Sequence, residues 1–135
     1  MRLTIAVSTV ALFAITAPAW ANSSYEVQLI ARVEPFCRIN LPSEQPINLV
    51  GGNAQIGVVH EICNTASGYD VLARFTNLSG GELNVGGRNY SIDSAGNSLR
   101  SSDNPAIQNL SWQIADAMVV QPAVPVVMRV TISPH

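Results

Sequence analysis

The chain has 135 residues, with seven Lys plus Arg against nine Asp plus Glu and a formal net charge of −2. All seven cations are arginine, and only 12% of the residues are charged. This balance argues against a basic stripe that grips nucleic acid or an anionic membrane, and the length allows one domain with a real core.

Residues 1–21 read as a secretory signal peptide. Arg2 supplies the positive start, Leu3–Ile15 the apolar run, and Ala19-Trp20-Ala21 the small-residue site after which cleavage is expected. The run is short for a membrane anchor, and Pro18 follows it. Removing 21 of 135 residues leaves 114, with six Arg against nine acidic residues and a net charge of −3. The mature chain is thus expected to be exported. It holds two cysteines, Cys37 and Cys63, which an oxidising compartment pairs most simply with each other. The bridge closes a loop of about 25 residues and contributes ~3 kcal/mol in the chain-entropy model. The rival reading is a metal site, because His60 lies three residues before Cys63, but the only other histidine is His135.

Along the mature chain the apolar residues recur with period two, the signature of strands. Tyr25, Val27, Leu29, Ala31 and Val33 share one face of a strand that Pro35 ends, with Glu26, Gln28, Arg32 and Glu34 on the other. Ile47–Val50 is a short candidate before the Gly51-Gly52-Asn53 turn. Gln55–Cys63 is a longer one, with Gly57 as a bulge. Gly68–Asn77 alternates, with Tyr69, Val71, Ala73 and Phe75 on one face. Glu82–Val85 and Arg88–Ile92 form a hairpin about Gly86-Gly87. Residues 94–97 and 101–105 read as loops, and Leu110–Ile114 and Ala117–Val120 as short strands. The last strand carries Val126, Met128, Val130 and Ile132 on its core face. Seven or eight short strands separated by turns predict an all-β sandwich in one domain.

The chain carries no constellation that specifies catalysis. His60 stands beside Glu61 within a strand, no Gly-x-Ser-x-Gly elbow occurs, and Trp112 reads as core. Asp93–Asn97 reads as a turn rather than a calcium loop. No enzyme, cofactor or metal is therefore expected.

Three features together resemble the pilin-type subunits of the chaperone–usher family, in particular the spore coat protein U-like branch. One alternating segment, Tyr25–Val33, runs into Cys37. Cys63-Asn64 is followed by Gly68-Tyr69 and an alternating strand. The final strand, Pro125–Ser133, lies at the end of the sequence. The resemblance spans the whole mature chain, and Cys63-Asn64-x-x-x-Gly68-Tyr69 carries most of it. It implies an immunoglobulin-like sandwich that lacks its last strand, with Cys37–Cys63 tying the first strand to the second. It also implies a donor-strand segment at residues 22–36 ahead of, and continuous with, the domain at 37–135. The implied partners are neighbouring subunits, a periplasmic chaperone and an outer-membrane usher. The implied destination is a fimbrium serving adhesion or biofilm formation, reached through the periplasm, unless the protein is secreted free. One departure is the ending Ile132-Ser133-Pro134-His135, which lacks the aromatic residue common in such subunits. The alternative reading is a complete, monomeric exported sandwich that binds a carbohydrate or a protein. In that case Tyr25–Val33 is simply its own first strand.

Overall fold

The computed structural model describes residues 28, 30–42 and 46–135, and Val33–His135 forms one compact unit. The signal-peptide residues 1–21, and Tyr25, Val27 and Leu29 of the alternating face, lie outside the described residues. Among its described residues the unit holds eight strands: β1 (Cys37–Asn40), β2 (Ala54–Cys63), β3 (Tyr69–Phe75), β4 (Gly81–Val85), β5 (Arg88–Ile92), β6 (Asn97–Ser102), β7 (Ala106–Ala115) and β8 (Met128–Pro134). They form a five-stranded sheet in the order β1-β2-β7-β4-β5 and a three-stranded sheet in the order β6-β3-β8. Every pairing is antiparallel.

Alternation explains the layers. In β3, Tyr69, Val71, Ala73 and Phe75 are buried, while Asp70, Leu72 and Arg74 between them are not. They meet Val59 and Cys63 of β2, Leu83 and Val85 of β4, Ile92 of β5, and Trp112 and Ile114 of β7 in one core between the sheets. Trp112 is 1% exposed and belongs to this core. Gly57 has φ +109 and marks a register shift in the β2–β7 ladder, a bulge that lets β2 keep its apolar face inward. Gly86 and Gly87, with φ +57 and +86, turn the β4–β5 hairpin as a type I′ pair.

Cys37 and Cys63 stand opposite each other in the β1–β2 ladder and are joined by a disulfide. This bond staples the short first strand to the long second one.

Several sequence expectations need correction. The alternating strand expected over Tyr25–Glu34 forms no ladder at its described residues 30–34, where Glu34 O is bonded by the Asn64 side chain instead of a neighbouring strand. Ile47–Val50 contributes only isolated bridges, Ile47 to Val126 and Val50 to Asn53. Val119 likewise makes a single bridge, to Leu78. β6 crosses a span whose two ends read as loops. Its buried Ser98 and its partly buried Arg100 are polar, so the apolar alternation that marks other strands is missing.

Candidate functional site

The two sheets are closed differently along their two sides. On one side β5 passes into β6 through a tight turn. Asp93 N–H donates to Asn97 O, and the Asp93 carboxylate accepts from the backbone N–H of Ala95 at 2.9 Å and of Asn97 at 2.8 Å. These bonds pull the Asp93 carboxyl below its ordinary range, the Asn97 backbone contact contributing most. The turn residues Asp93–Asn97 therefore do structural work on their own backbone.

On the other side, among the described residues, no strand pairing joins the sheets. Among the described strands β1 is hydrogen-bonded only to β2, and β8 only to β3. Each turns a free edge towards the other across an open groove of about 650 Å³ lined by Arg38–Leu41 and Val127–Val130. The inward side chains along both edges are apolar: Ile39 and Leu41 on one side, Met128, Val130 and Ile132 on the other. They pack against the core yet stay half-buried, whereas Val59, Val71, Ala73 and Ile114 in the inner strands are fully buried. Val126, just ahead of β8, is buried, and Val127, Arg129 and Thr131 point to solvent. Among the described residues the groove is therefore a stretch of core without a cover, flanked by two strands whose outer N–H and C=O groups have no strand partner.

Among the described residues the seam is pinched where Ile47 N–H donates to Val126 O at 2.8 Å. Beyond the pinch the same two chain segments diverge again. They line an upper cleft of about 650 Å³ that includes Ile47, Leu49, Val119, Val124 and Val126.

At the opposite end, the chain entering β1 is held by one side chain. Asn64 Oδ1 accepts from Phe36 N–H at 2.6 Å, Asn64 Nδ2 donates to Glu34 O at 3.0 Å, and Asn64 N–H donates to Phe36 O at 3.0 Å. Ahead of this clamp, Ala31 and Val33, the described residues of the alternating apolar face, are both exposed, Val33 by 75%.

The polar cluster that the sequence concealed lies inside the core. Glu61 of β2 is 0% exposed and pairs with Arg100 of β6. Its second oxygen accepts from Tyr69 Oη at 3.2 Å and from Gln108 Nε2 at 3.1 Å. Burial, followed by the charge of Glu61, raises the Tyr69 pKa. Both carboxylate oxygens are engaged, which suits a cross-link between sheets. Glu61 shares the inward parity of Val59 and Cys63, and that parity is the sequence signal that could have found it. His60, the neighbouring residue, faces outward and pairs through Nδ1 with Asn109 Oδ1. Among the described residues no three His, Cys, Asp or Glu side chains converge as a metal-binding set. No family model, curated protein or solved structure matches the chain.

Proposed function

We propose that this protein is a structural subunit of a surface fimbria, of the chaperone–usher type and nearest its spore coat U-like branch. In this reading it is an immunoglobulin-like sandwich without its last strand, assembled by donor-strand complementation. The observation that carries the reading is the groove between β1 and β8, an apolar floor between two free strand edges. A strand laid into it, with the β1 and β8 edges parting to admit it, completes both ladders and sends alternate side chains into the core. The chain itself holds a segment of that kind: Tyr25, Val27, Leu29, Ala31 and Val33 repeat at two-residue spacing ahead of the domain.

Each apolar side chain seated in the groove contributes about 1.5–3 kcal/mol, and each main-chain bond about 0.5–1.5 kcal/mol net. A donor of this length is therefore held tightly. A periplasmic chaperone covers the same groove before assembly at an outer-membrane usher, and the finished fimbrium serves adhesion or biofilm formation. The protein acts by assembly and performs no catalysis.

The test uses the mature chain and its Leu29→Arg variant. Wild type is expected to form a polymer. The variant is expected to fold and bind chaperone but not to polymerise, because a guanidinium cannot enter the apolar groove. A wild-type chain that sediments as a stable monomer, or a Leu29→Arg chain that fails to fold, overturns the reading in favour of a complete sandwich whose segment is its own first strand.

A further inference from the structure

The directions of β1 and β8 determine how two copies meet. β1 runs towards the upper cleft and β8 runs away from it, so an inserted strand is antiparallel to one and parallel to the other. β8 spans seven residues and β1 four. The longer ladder with the more favourable antiparallel geometry therefore belongs to β8. At the lower end, the domain's own Glu34 and Phe36 are already tied to Asn64. Both facts direct the inserted segment to leave at the upper end. Three further residues reach at most about 10 Å, and the upper cleft begins there, because Val126 borders it and Val127 borders the groove.

We propose that the upper cleft of one copy receives the Glu34–Phe36 stub of the next copy, with the Phe36 ring as its anchor. The inference rests on the donor-segment reading of the groove and adds a second contact to it. Phe36 is 51% exposed although its backbone is bonded on both sides to Asn64, so the ring is presented from a fixed position. Opposite it, Val119 and Val124 leave apolar surface uncovered at the mouth of the cleft. Stub and cleft lie at opposite ends of one chain, so the contact is head-to-tail and repeats along a filament. A pre-positioned ring loses little freedom on docking, so the contact fixes the angle between neighbours.

The test places a photo-reactive benzoylphenylalanine at position 36 in full-length mature chain and polymerises an equal mixture of isotope-labelled and unlabelled copies. The expected product joins residue 36 to residues 46–49 or 117–126 of a differently labelled copy. Phe36→Ala and Val124→Asp polymers are expected to dissociate on dilution roughly tenfold faster than wild type, as befits loss of a partly buried aromatic contact. Suppose polymers form and Leu29→Arg abolishes them, but the photoproduct maps elsewhere and both variants dissociate at the wild-type rate. Stub seating is then overturned and the donor reading survives. Failure of the wild-type chain to polymerise overturns both.

Discussion

Glu61 and Arg100 belong to different sheets, and their side chains meet across the core with the carboxylate wholly removed from solvent. A carboxylate in that position is tolerable only while its charge is matched, so the pair links β2 to β6 and breaking one half of it strands a buried charge.

Removing one partner alone is therefore expected to be costly. Arg100→Met leaves Glu61 with Tyr69 and Gln108 but without a counter-charge, and should cost about 3–5 kcal/mol. Adding Glu61→Gln in the same chain removes the stranded charge and should restore most of the loss. Urea denaturation of wild-type, single and double variants of the mature chain measures this. An Arg100→Met variant within 0.5 kcal/mol of wild type would show that the charge is not buried in solution.

Gly68 tests the local backbone. Its φ is +91, and a Cβ there would lie 1.9 Å from Ser102 O, a backbone atom that cannot swing away. Gly68→Ala must shift the loop between β2 and β3 against the end of β6. The loss should exceed the ~1 kcal/mol of an ordinary left-handed glycine replacement, because strain and clash add. Thermal unfolding of the purified variant provides the measurement, and an unchanged midpoint contradicts the geometry.

These residues also show how far the sequence could be read. The all-β class, two sheets, the Gly57 bulge and the Cys37–Cys63 bond follow from alternation, glycine placement and cysteine count. β6 was obscured because its core-directed positions are Ser98 and Arg100, whose partners lie far away in sequence. The groove is invisible for a different reason. A free edge is a property of strand order, and alternation reports which face is apolar without reporting what lies alongside. Asn64 reads as one polar residue in a loop, although its side chain fixes the entry of the chain into β1.

A pH effect is expected where His135 meets Asp70. His135 Nε2 lies 3.0 Å from Asp70 Oδ1, and its Nδ1 lies 3.0 Å from Ser67 O. The hydrogen bond to Asp70 raises the His135 pKa above 6.5, helped by the Ser67 carbonyl and the charge of Asp103. The Asp70 pKa is lowered below 3.8, first by Ser101 and then by His135. A raised histidine stabilises the fold below 6.5 and loses that effect as pH rises through its folded value. A lowered aspartate stabilises above 3.8 and loses that effect as pH falls through its folded value. The latch is therefore complete between these limits, about pH 4 to pH 6.5. Nuclear magnetic resonance titration should show the His135 ring titrating above 6.5 in wild type and lower in Asp70→Asn. Equal titration in the two proteins refutes the pairing.

The final prediction concerns the floor of the groove. Val130 and Thr131 are neighbours in β8, yet alternation sends them to opposite faces: Val130 packs against the core and Thr131 is exposed. Val130→Asp places a carboxylate on the apolar floor between β1 and β8, in place of a side chain packed against the core. It should sharply reduce folded, oxidised protein and block any strand from seating in the groove. Thr131→Asp changes charge by the same amount one residue away, opposite Leu72 on the outer face, and should stay within about 0.5 kcal/mol of wild type. Folded yield and strand capture are measured for both variants, using a synthetic peptide of residues 22–33. Equal behaviour of the two variants would mean that β8 does not present this face to the groove. A normal Val130→Asp beside a defective Thr131→Asp would mean that its register is shifted by one residue.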